Sequence, residues 1–79
     1  MDVRQLITID KAVLSGTPVF TGTRVPIETL FDHLEAGRSL DEFLSDFPTV
    51  KRQQAIDLLD AANKIMTSDK LEQLYASVA

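Results

Sequence analysis

The sequence predicts a mainly α-helical domain: three short helices in a helix-turn-helix arrangement, a short β ribbon before them and an amphipathic helix after them. Three observations carry this expectation. Apolar residues recur with the i, i+3, i+4, i+7 spacing of one helix face in several separate runs. Glycine and proline punctuate the chain between those runs. Short β-rich runs bounded by turn residues fall within the first 25 residues.

The ribbon is read over residues 5–25. Leu6-Ile7-Thr8-Ile9 is one strand candidate and Val19-Phe20 the other. Between them stand Asp10 to Leu14 and the breaker Ser15-Gly16-Thr17-Pro18, and Thr21-Gly22-Thr23 follows. Gly16 and Gly22 can take the positive φ of tight turns without steric cost. Two strands alone are not stable in water, so the ribbon must pack on helices or pair across a dimer.

The first helix of the body is expected over 26–36. Pro26 suits its first position, where a missing N–H costs nothing. Ile27, Leu30, Phe31 and Leu34 make its stripe, and Gly37 is the expected stop. The second is expected over 40–46. Ser39-Leu40-Asp41-Glu42 reads as a capping box, and Pro48 disfavours helical geometry at Phe47. The third is expected over 50–66, with Thr49 as its cap. Ile56, Leu59 and Asn63 fall on one line, with Ala55, Leu58, Ala62, Ile65 and Met66 beside it. That face is broader than one small neighbour needs. Thr67-Ser68-Asp69 suggests a break, after which Leu71, Leu74, Tyr75 and Val78 mark a fourth amphipathic stretch. The organisation that follows is a body over 1–66 and a C-terminal segment over 67–79.

Composition narrows the class. The 79 residues, 44% apolar and 25% charged, make one small domain with a marginal core. With no cysteine, no disulfide or zinc-thiolate site can staple it, so a partner surface is a natural source of stability. The uncovered ribbon and the broad third helix predict a homodimer. The polar start of the chain and the lack of a long apolar run predict no membrane segment and a cytoplasmic protein. The net charge of −4 argues against a non-specific polyanion binder. Most of it lies in residues 25–48, where Arg38 stands alone against Glu28, Asp32, Glu35, Asp41, Glu42 and Asp46.

In a helix-turn-helix, the third helix presents its first-turn side chains to DNA bases. Here these are Lys51, Arg52, Gln53 and Gln54. Lysine and arginine suit guanine edges and phosphates, and glutamine suits adenine. The same residues also fit the plain solvated face of a helix, and Asp57 and Asp60, one and two turns on, would repel phosphates. Arg24 and Arg38 are the further candidates for phosphate.

The strings Ile7-Thr8-Ile9-Asp10, Ser15-Gly16-Thr17-Pro18-Val19-Phe20-Thr21-Gly22-Thr23-Arg24-Val25-Pro26, Leu34-Glu35-Ala36-Gly37 and Phe47-Pro48 closely resemble the domain-of-unknown-function 433 family. The resemblance covers residues 6–66, and its most specific part is Gly-x-Pro-Val followed by Gly-Thr-Arg-Val-Pro. It implies a small bacterial protein with a homeodomain-like or winged-helix-like trihelical fold. It further implies an antitoxin of a type II toxin–antitoxin pair, neutralising a PIN-like ribonuclease toxin and regulating its own operon by binding operator DNA. Two alternatives stay open: a stand-alone DNA-binding transcription regulator, and a dimerisation module without DNA binding.

Other residues weigh less. Arg24 fits either a phosphate or partner contact or an internal bond fixing the ribbon on the helices, and the internal bond is the expectation. Gly16 and Gly22 lack the Lys-Ser/Thr of a phosphate cradle. His33, the lone histidine, reads as a boundary residue, since one histidine without cysteine makes no metal site. Asp32 with Glu35, and Asp57 with Asp60, read as solubilising pairs. No catalytic residue, metal or cofactor is expected, because a body this small offers little cleft. The terminal stripe of Leu71, Leu74, Tyr75 and Val78 fits either a dimer core or a groove on the toxin, with Lys64 and Lys70 reaching toward the nuclease's acidic site.

Overall fold

The computed structural model describes residues 2–78. They are mainly helical, with five α-helices and one two-stranded sheet. In chain order these are α1 (Val3–Leu6), β1 (Ile7–Thr8), β2 (Val19–Phe20), α2 (Ile27–Glu35), α3 (Leu40–Asp46), α4 (Arg52–Met66) and α5 (Asp69–Val78). A 3-10 turn at Leu14–Gly16 lies between the strands.

The ribbon is antiparallel, pairing Ile7 with Phe20 and Thr8 with Val19. It is shorter than the sequence suggests. Leu6 closes the one-turn α1 and is buried, whereas Ile9 leaves the sheet and is exposed. The α1 turn was not expected; the Asp2 side chain caps it by accepting the Arg4 N–H at 2.9 Å. That bond, followed by the Arg4 side chain, holds the Asp2 carboxyl below its ordinary range.

The Gly-Thr-Arg-Val-Pro run is the joint between ribbon and helices. Gly22 stands at φ +80° in a turn closed by the Thr23 N–H on the Phe20 carbonyl at 3.0 Å. The Thr23 hydroxyl donates to that same carbonyl and accepts the Val25 N–H, which fixes the turn from its side chain. Val25 enters the core, and Pro26 bridges back to Val19 as the residue that caps α2 rather than its first helical position.

Helix α2 ends as expected at Gly37, φ +81°. The Gly37 N–H bonds the Leu34 carbonyl and the Arg38 N–H bonds the His33 carbonyl, the paired bonds that close a helix on a left-handed residue. Helix α3 has its capping box: the Ser39 hydroxyl accepts the Glu42 N–H at 3.0 Å, and the Glu42 carboxylate accepts the Ser39 N–H at 3.4 Å. Helix α4 starts two residues later than expected. Val50 drops into the core, Lys51 takes the cap position and Thr49 lies in the turn.

The core is Leu6, Phe20, Val25, Leu30, Phe43, Val50, Ala55 and Leu58, so every element from α1 to α4 except β1 contributes a buried residue or a flanking loop that does. Phe43 is its centre, with its ring 6.1 Å from Phe20, 5.2 Å from Phe47 and 5.5 Å from His33, which meets it edge-on. Helix α5 adds nothing to the core, and all ten of its residues are exposed. The radius of gyration is 14.1 Å, against about 12 Å for a compact domain of this length. Among the described residues no helix is long and apolar enough to cross a membrane.

Candidate partner-binding surfaces

Two surfaces gather the residues that the sequence singles out. The first is the start of α4 and the turn beside it. Gln54 joins them: its side-chain oxygen accepts the Lys51 N–H at 2.9 Å, and its side-chain nitrogen donates to the Thr21 carbonyl at 2.9 Å. Both ends of the amide are used inside the protein. Gln54 thus serves the fold, holding a helix cap and the tie to the ribbon.

The cations divide into engaged and unengaged. Arg52 pairs with Asp41 of α3. Arg38 lies 3.3 Å from Glu42 and 3.7 Å from Asp46. Gln53 donates to Asp57 one turn on, at 2.9 Å. Among the described residues, Lys51 and Arg24 have no ion-pair partner, and both are exposed. Among the described residues Arg24 forms neither the internal hydrogen bond nor the ion pair expected of it; the joint is held by Thr23. Because Gln54 reaches Thr21, the Arg24 turn adjoins the start of α4.

The acidic block is partly self-neutralised at the α2–α3 seam. His33 is a boundary residue, as expected, wedged edge-on against Phe43 and Phe47. Its Nδ1 lies 3.0 Å from the Thr29 carbonyl and its Nε2 3.4 Å from Asp46. The Glu42 carboxyl is held below its ordinary range, first by the Ser39 N–H and then by Arg38.

The second surface is the far end. Helix α4 stops at Met66, and the Thr67 and Ser68 hydroxyls bond the Asn63 and Ile65 carbonyls. The Ser68 oxygen also accepts the Lys70 N–H as α5 begins. Leu71, Leu74, Tyr75 and Val78 then follow at helical spacing, 37%, 62%, 73% and 83% exposed. Ile65 and Met66, at 60% and 55%, extend apolar surface back across the joint. Of the two lysines expected here, Lys64 is held by Asp60 at 3.0 Å, while Lys70 has no ion-pair partner among the described residues.

A small cleft lies where α1 meets α4, lined by Val3, Leu6, Asp57, Asp60, Ala61 and Lys64. At about 90 Å³ it is far below the 300 Å³ or so of a small-molecule site. It was not foreseen, because one turn of helix at the chain start leaves no periodic signal.

A family model described as a protein of unknown function, DUF433, matches residues 7–61. The uncharacterized protein y4eO of Sinorhizobium fredii (strain NBRC 101917 / NGR234) is 33% identical over 51 residues, 65% of this chain and 23% of that protein. The chain thus spans less than a quarter of that relative's length. No solved structure matches it.

Proposed function

The chain belongs to the DUF433 family, and on that premise we propose that it is the antitoxin of a type II toxin–antitoxin pair, which binds and silences a PIN-like ribonuclease. The toxin is held by α5, whose apolar stripe lies in a groove of the nuclease. One observation carries this reading. A ten-residue helix with no buried side chain has no reason to persist in water, since isolated helices shorter than about 12–15 residues are marginal. Leu71, Leu74, Tyr75 and Val78 therefore call for a partner, and helix-in-groove docking uses such spacing. The reading predicts a PIN-like ribonuclease encoded beside this protein, and RNA cleavage by that enzyme is the test. The wild-type chain abolishes cleavage, and Leu74→Lys/Tyr75→Lys loses at least tenfold in inhibition while remaining folded. Full inhibition by that variant refutes the docking mode.

Operator binding is a second role, in which α2, α3 and α4 act as the trihelical helix-turn-helix. Arg24 and Lys51, unpaired among the described residues, favour it: Lys51 caps α4 and Arg24 follows the turn that Gln54 ties to α4 at Thr21, so each offers a cation to phosphate. In this reading Lys51 and Gln53 approach the bases, Arg24 holds the backbone, and Arg52 and Arg38 serve only by leaving their carboxylates. A mobility shift with the upstream promoter tests it. Lys51→Ala/Arg24→Ala weakens the shift at least tenfold and lowers the salt slope by about two, whereas an unchanged shift excludes this surface.

A further inference from the structure

A second apolar strip is left open, on a different helix from the one assigned to the toxin. It runs along α4 beside the face that packs on the core: Ile56, Leu59, Asn63 and Met66, with alternating steps of three and four residues. Ile56 is 42% and Met66 55% exposed and Asn63 is exposed, while Leu59, half-buried, packs in part against the core and shows the strip only its outer side. One turn before Ile56 the strip is closed by Arg52, tied to Asp41. The alternation is that of a seam packing against another helix.

We propose that this strip is the contact between two copies of the chain, with α4 parallel to its counterpart and the two Asn63 side chains facing each other. The asparagine argues for a second copy over an unlike partner. A carboxamide carries both donors and an acceptor, so two related by a two-fold axis satisfy one another. A single asparagine within an apolar seam fixes register in this way. Charge points to the same place. The chain is acidic overall, but the excess sits on α2 and α3, whereas Asp60 beside the strip is already held by its own Lys64 at 3.0 Å. Two copies can meet along α4 without like charges confronting each other. The size sets the strength. Ten helical steps span about 15 Å, so the interface falls below the about 1,200 Å² of stable specific complexes. The dimer is accordingly weak and concentration-dependent.

Sedimentation equilibrium of the full chain tests this, from about 10 to about 500 μM, the range that brackets micromolar and weaker association. The wild type passes from monomer to dimer mass. Asn63→Lys, at an exposed position that leaves the fold intact, weakens association at least tenfold. Leu74→Lys/Tyr75→Lys on α5 dimerises like the wild type, which separates this contact from toxin docking. Because the chain has no cysteine, Asn63→Cys forms a covalent dimer on mild oxidation if the helices run parallel. A wild type monomeric throughout, Asn63→Lys dimerising as before, loss of the dimer in the α5 variant, or no covalent dimer from Asn63→Cys each overturns the proposal.

Discussion

Gln54, a half-buried side chain, carries two structural duties. One amide caps α4 at Lys51 and anchors the ribbon turn at Thr21, so Gln54→Ala removes both bonds. The expected cost is about 1–2 kcal/mol, read as a lower urea midpoint with an unchanged slope. Its neighbour Gln53 bonds only Asp57 on the surface, and Gln53→Ala shifts stability by less than about 0.5 kcal/mol. Equal effects would refute the structural role given to Gln54. Nothing in the sequence marks this difference, because the deciding partner is 33 residues away. The same holds for Arg52, whose carboxylate partner lies 11 residues upstream on another helix. A run of four polar residues at a helix start looks uniform until the fold assigns each a neighbour. Phe43 is the opposite case, legible from its stripe and found fully buried. Phe43→Ala costs about 3–5 kcal/mol, enough to leave a domain of this size largely unfolded in a thermal melt.

Helices α2 and α3 were legible because period and punctuation agree. Four apolar residues at helical spacing and a glycine or proline stop specify each one locally, with Pro26 before α2 and a capping serine before α3, and α3 begins and ends where expected. Helix α4 was misjudged only at its start, where Val50 is drawn into the core and the cap moves to Lys51. The capping box of α3 gives a pH signature. Glu42 is held below its ordinary range by the Ser39 N–H and Arg38. A carboxylate stabilised in the folded state contributes above its unfolded pKa, and the contribution fades as pH falls through the lowered value. Glu42→Gln is therefore less stable than the wild type near neutrality, and the difference closes in acid. Chemical denaturation at a series of pH values checks this, and a gap that widens in acid contradicts it.

At the scale of the molecule, the chain divides its work. The ribbon joint and α2 to α4 close a small core around Phe43, while α5 contributes no buried residue to it. The sequence shows α5 as an amphipathic helix but not its isolation, since period marks an apolar face without saying what covers it. The account stands on the proposal that a ribonuclease partner completes that helix. Hydrogen exchange with and without the nuclease tests it most directly. In the free chain the α5 amides exchange nearly as fast as unfolded peptide while those of α2 to α4 are protected, and on adding the nuclease α5 becomes protected. Protection that appears at the start of α4 while α5 stays open would contradict the account.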